Sequence, residues 1–141
     1  MRHELRSINQ LLVNNVLKQQ AAPTAMTTTA TITSAAILGG LITGNQGGGA
    51  AATYTLPTGA VFGPIADAYF GGNWGVDYSI EFTIVNISTN AAEDVTVAGD
   101  TGMTAVGNMT IASNAAVGDQ AWGTFRIRKT AANTYSFYRV G

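Results

Sequence analysis

The sequence contains no cysteine and a single histidine, His3. Without thiols the chain forms no disulfide, offers no thiolate to a metal and has no cysteine nucleophile. A lone histidine near the N-terminus is a poor basis for a catalytic triad or a metal site, because both need several converging groups. We therefore expect no catalytic residue, no metal site and no cofactor, and we predict that the protein is not an enzyme.

Charge is also scarce. Charged residues make up 11% of the 141 residues, against a usual share of about 25%. A soluble monomer normally carries more charge, because charged side chains keep its surface solvated. The composition therefore favours a surface that is partly covered by other copies of the chain or by other proteins.

The few charges are unevenly distributed along the chain. Residues 19–125 contain seven acidic residues and no Lys or Arg, whereas Arg126, Arg128, Lys129 and Arg139 lie near the C-terminus and are expected to form one basic patch. Nucleic-acid binding needs a basic face with several phosphate contacts, so we expect no nucleic acid partner. No apolar run approaches the roughly 20 residues that span a bilayer, so we expect no membrane partner.

Residues 1–20 have the pattern of an amphipathic helix. Apolar residues recur at intervals of three and four, and no Gly or Pro interrupts them. A helix this short is marginal alone in water, so its apolar stripe must pack against something. Its own domain, sister subunits and a partner surface all remain open. The stripe, predicted to form a capsid-anchoring or trimer interface, comprises Leu5, Ile8, Leu12 and Val16.

Pro23 and the small residues around it then favour an extended linker. This composition predicts two parts, an N-terminal helix and arm over residues 1–26 and a β-sandwich domain over residues 27–141.

The second part has the alternation of short β-strands. The clearest example is "DYSIEFTIVNIS", in which Tyr78, Ile80, Phe82 and Ile84 share one face. Turn residues recur every eight to twelve positions, and the last two strands are expected to form a hairpin. "SAAILGG" predicts one helical turn, and residues 60–75 predict either a short helix beginning at Pro64 or an ordered apolar loop. We predict an all-β fold, a β-sandwich or jelly roll.

Two other groups could carry a site. Glu93, Asp94 and Asp100 match no known metal-binding spacing and are interpreted as solvated turn residues. The aromatic residues Tyr69, Trp74 and Trp122, with Phe70 and Tyr78, could fill a core or a subunit interface, or could face a glycan.

The segment "TATITSAAILGGLITGNQGGGAAATYTLPTG" resembles small structural proteins of tailed bacteriophages, especially head decoration (cement) proteins and related fibre modules. "DYSIEFTIVNIS", "AGDTGMTAVGNMTI" and "FRIRKTAANTYSFYRVG" look similar too, so that the resemblance covers residues 27–141. It implies a homotrimeric β domain on the outer surface of the virion, bound to the major capsid protein and stabilising the head. The alternative is a head-fibre or tail-fibre receptor-binding module that binds a glycan.

Overall fold

The computed structural model describes residues 19–141. The predicted N-terminal stripe of Leu5, Ile8, Leu12 and Val16 lies outside the described residues. The described part contains ten strands and two helices. They are β1 (Thr24–Met26), β2 (Ala30–Thr31), α1 (Ser34–Gly39), β3 (Leu41–Gly44), β4 (Ala52–Thr55), α2 (Gly59–Tyr69), β5 (Ser79–Asn86), β6 (Val95–Ala98), β7 (Met103–Val106), β8 (Thr110–Ile111), β9 (Trp122–Ala131) and β10 (Thr134–Arg139).

The strands form two mixed sheets. Sheet A has the order β1-β3-β5-β9-β10-β7, and sheet B has the order β2-β4-β6-β8. From β1 to β9 each successive strand joins the other sheet. When the chain passes through the other sheet between two strands of the same sheet, those two strands can be parallel. β1, β3 and β5 pair in parallel, as do β2, β4 and β6.

The prediction of an all-β sandwich or jelly roll is therefore wrong for the described residues. β7 and β10 are also parallel, and antiparallel pairing is confined to β5–β9, β9–β10 and β6–β8. Parallel neighbours need crossover connections, which are often helical, and α1 and α2 lie in two such connections. The chain is a mixed α/β protein because these helices contribute to the core.

Both helices begin at a threonine cap. The side chain of Thr33 accepts a hydrogen bond from the Ala36 N–H, and α1 ends at Gly40, whose φ of 83° is left-handed. Thr58 caps α2 in the same way. α2 begins five residues before the predicted start at Pro64, which lies inside it.

α2 faces the core with a stripe at helical spacing, namely Gly59, Phe62, Gly63 and Ala66. Inward side chains from both sheets and both helices form a single cluster. Its largest fully buried members are Tyr54, Tyr135, Phe62, Phe82, Phe125 and Phe137.

The strand pattern itself is confirmed in several places. Phe82 and Ile84 of β5 are buried, as are Phe125 and Ile127 of β9, and β9 and β10 form the predicted hairpin. Residues 24–26, at the end of the predicted arm, are β1 and pair with β3 at the margin of sheet A.

Candidate interaction surfaces

Sheet A has one buried face and one open face. Its inward side chains join the core, whereas none of the alternate, outward side chains is buried. We call this second surface the outer face of sheet A. Its central positions are directly opposed pairs on β5 and β9, namely Ser79 with Arg128, Glu81 with Arg126, and Thr83 with Thr124.

The charges on the outer face are paired. Arg126 binds Glu81 at 2.5 Å, and Arg128 binds Asp77 at 2.5 Å. The Thr83 and Thr124 hydroxyls are 2.9 Å apart and share a hydrogen bond. Exposed ion pairs contribute about 0–1 kcal/mol, so they neutralise this face more than they stabilise the fold.

The predicted basic patch is divided by the direction of its side chains. Lys129 donates to the carbonyl oxygen of Trp74 at 3.0 Å. Arg139 points inward and donates to the carbonyl oxygens of Thr110, Trp122 and Gly141. Since Arg126 and Arg128 are already paired with acids, the four basic residues do not form one phosphate-binding surface.

The predicted aromatic residues lie in two places. Trp74 is buried, 4% exposed, and its ring packs against Phe62, Phe70 and Tyr135 with centroids 5.2–5.7 Å apart. Its indole N–H donates to the carbonyl oxygen of Tyr78 at 3.0 Å. Trp74 is thus part of the core, and an N–H satisfied by backbone is what a buried indole requires.

Tyr69 and Tyr78 are 64% and 63% exposed, respectively. Tyr69 packs against Phe70 at 5.1 Å. A cleft of about 260 Å³ is lined by Phe70, Asn73, Trp74, Tyr78, Ser79 and Ile80. Aromatic walls with one or two polar groups are suited to a small ring-shaped ligand.

Trp122 is remote from this cleft. It opposes Val85 at the other end of β5, about 20 Å from Ser79 at 3.3 Å per residue. Trp122 is 46% exposed, and its ring lies close to Gly141. Trp122 therefore belongs to the margin of the outer face of sheet A, and the three predicted aromatics do not form one site.

An apolar groove lies between the two helices. It has a volume of about 540 Å³ and is lined by Ala35, Leu38, Gly39, Ile65, Ala68 and Tyr69. Ile65 is 46% exposed although it is a large aliphatic residue. We call this feature the α1–α2 groove. Sequence analysis missed it, because its α2 wall lies in the segment left open between helix and loop.

The acidic residues singled out from the sequence hold loops together. A Glu93 carboxylate oxygen accepts the Gly49 N–H at 2.7 Å, and Asp94 accepts the Ser113 N–H at 2.9 Å. Asp100 accepts the N–H of its neighbour Thr101. Within residues 19–141 no three His, Cys, Asp or Glu residues converge on a possible metal site, and no helix there is long and apolar enough to cross a membrane.

The glycine-rich stretch before β4 is part of the framework. Gln46 is buried, and its side-chain amide donates a hydrogen bond to the Tyr54 hydroxyl. Burial raises the pKa of Tyr54, and the hydrogen bond from Gln46 partly opposes that rise. This contact, with Gly49 held by Glu93, fixes the loop against β4.

Comparison with known proteins gives no relative: no family model matches the chain, and neither the curated proteins nor the solved structures include a significant match.

Proposed function

We propose that this chain is a structural protein of a tailed-bacteriophage virion, a decoration protein that forms a homotrimer and binds the major capsid protein on the outside of the head. In this proposal it acts by covering the outer surface of the capsid, not by catalysis. The observation that carries this proposal is the outer face of sheet A, an open and electrically balanced sheet face on a charge-poor chain.

The dimensions of that face support a protein partner. Six strands spaced at about 4.8 Å make it about 29 Å wide. A surface of this width can supply the area of about 800 Å² that each partner buries in a standard protein–protein contact. Its margins carry exposed apolar side chains, Trp122 at 46% and Val106 at 45% exposure. Aromatic residues are enriched in protein interfaces relative to the rest of a protein surface.

The paired charges argue against a phosphate polymer as the partner. Arg126 and Arg128 would have to leave Glu81 and Asp77 before they could neutralise phosphates. A protein surface with backbone and hydroxyl groups can instead meet the threonine centre of the face without breaking either pair. Many identical copies on one shell would add weak contacts into firm attachment.

The first test is the mass of the purified chain by light scattering, with its copy number per particle from a quantitative gel. We expect a trimer of three 14.6 kDa chains and many copies on each particle. A monomer that is absent from particles would contradict the proposal.

The second test places a charge on the proposed contact surface. Thr124→Lys, at the centre of the outer face, should lower occupancy on particles at least tenfold, because the new charge is desolvated on contact. Thr53→Lys is the matched control, since Thr53 is an exposed threonine on sheet B. Equal loss in both variants would remove the outer face from the proposal.

A receptor-binding fibre module is the second candidate, and the aromatic cleft is the observation that favours it. Tyr78 is 63% exposed and lines the cleft together with Trp74 and Asn73, and an exposed aromatic ring can stack on the apolar face of a sugar. A glycan array should then give hits that Tyr78→Ala abolishes and Trp122→Ala retains. An array without hits, combined with many copies per particle, would exclude this candidate.

A further inference from the structure

The α1–α2 groove is an apolar surface that the described fold leaves open. Ile65 and Tyr69 are 46% and 64% exposed, and the lining residues carry no charge. Exposed apolar patches between helices mark places where another element binds. A third helix is the natural occupant of a groove between two helices.

The chain enters the described structure beside this groove. The side-chain amide of Gln20 donates to the carbonyl oxygen of Gly39 at 2.8 Å, and Gly39 lines the groove. One residue, Gln19, separates Gln20 from the segment of residues 1–18. That segment is therefore joined to the described chain close to the groove, and such a short tether gives it a high effective concentration there.

The sequence of residues 1–18 matches the groove in character and length. Leu5, Ile8, Leu12 and Val16 form one apolar stripe, which would extend for about 16 Å if helical. α2 has 11 residues, so it is also about 16 Å long at 1.5 Å per residue. A short helix is marginal in isolation, and this groove offers the surface that its stripe requires.

We infer that residues 1–18 dock as a helix into the α1–α2 groove of the same chain, with the stripe against Ile65, Ala68 and Leu38. This selects own-domain packing from the three partners that the sequence leaves open. The inference does not depend on the proposed function. It assigns the interaction surface to the chain's own N-terminus, and it leaves the outer face of sheet A free for another protein.

Paramagnetic broadening in the full-length chain tests the docking. The absence of cysteine allows a single nitroxide at Ser7→Cys, off the stripe. We expect broadening of the Ile65, Ala68 and Tyr69 amide signals when the same chain carries both the nitroxide and ¹⁵N. A mixture of nitroxide-labelled chains with separate ¹⁵N-labelled chains should show none. Broadening in the mixture would make a second copy the occupant, and no broadening at these amides in either sample would show that the groove is not occupied; both results overturn the inference.

Matched variants identify the contact. Ile65→Glu should abolish the broadening, whereas Val61→Glu, on the same helix but outside the groove, should retain it; Val61 is 54% exposed. If Ile65→Glu fails to fold, Leu12→Asp changes the segment instead, with Asn14→Asp on its polar side as control. Broadening that survives Leu12→Asp would overturn the inference.

Discussion

Gly59 and Asn133 are in direct contact across the molecule: a Cβ atom on Gly59 would lie 1.9 Å from the carbonyl oxygen of Asn133. Gly59 is the first residue of α2, and Asn133 lies in the β9–β10 turn with a left-handed φ of 53°. Gly102 approaches the same point. The contact fastens the start of α2 to the last hairpin through backbone atoms, which cannot move aside as a side chain could.

We expect Gly59→Ala to destabilise the fold by about 1–3 kcal/mol, because the methyl group overpacks a backbone contact. Gly47→Ala is the control, since nothing lies within 4 Å of a Cβ at that position. It should be neutral, or stabilise by about 0.4–1 kcal/mol through the unfolded state. Urea unfolding measures both free energies, and equal values for the two variants would contradict the contact.

Arg139 joins the two sheets through its guanidinium group. It donates to Thr110 of β8 in sheet B and to Trp122 of β9 in sheet A. Arg139→Lys should cost about 1.5–3 kcal/mol, since a single ammonium group cannot reproduce the planar set of donors. Arg126→Lys, in an exposed ion pair, should cost less than about 1 kcal/mol. Equal losses in thermal unfolding would count against the bridging role.

Phe62 is the centre of the aromatic cluster, with ring centroids 5.5 Å from both Trp74 and Tyr135. Phe62→Ala should destabilise by about 3–5 kcal/mol, because it leaves a cavity among rigid rings. Tyr78→Ala removes an exposed ring and should change stability by about 0.5 kcal/mol or less. Trp fluorescence during denaturation reports both, and a small effect at Phe62 would show that the cluster is loosely packed.

Ionisation of Tyr135 is expected to lower the stability of the fold at alkaline pH. Burial raises the pKa of its phenol, and the nearby Asp67 carboxylate raises it further. Because the folded chain holds this proton more tightly, its contribution to stability is complete below the unfolded value of 10.0. It is lost as the pH rises through the folded-state pKa.

Tyr135→Phe should therefore lose less stability than the wild type as the pH is raised above 10. Tyr69→Phe, which removes an exposed hydroxyl, should follow the wild type. Denaturant titrations at several pH values provide the comparison. Parallel curves for Tyr135→Phe and the wild type would mean that ionisation of Tyr135 does not limit alkaline stability.

The strands were predictable from sequence because burial alternates along them. Val95 and Val97 of β6, and Phe125 and Ile127 of β9, show this directly. The alternation says which side chains point inward, but it is the same for a parallel and an antiparallel neighbour. The pairing of β3 with β5, and of β4 with β6, was therefore not predictable, and the fold class was wrong.

α2 was harder to predict because its residues are poor helix formers. Gly59, Gly63 and Pro64 all disfavour a helix, yet the two glycines are the positions where α2 meets the Asn133 turn and the Tyr135 hydroxyl. Tertiary contact decides this helix, and propensity does not. The α1–α2 groove depends on it, so the candidate site could not be found without the fold.

The alternation of the chain between two sheets also governs how it can fold. The parallel pairing of β3 with β5 brings Leu41 opposite Thr83, and the pairing of β4 with β6 brings Ala52 opposite Val95. Apart from the β9–β10 hairpin, most ladders join residues that are distant in sequence, so long loops must close before their contacts form. Folding times in the range of milliseconds to seconds are therefore expected. A nascent chain that ends before β5 would contain only β1 and β3 of sheet A and β2 and β4 of sheet B, and both sheets would be incomplete.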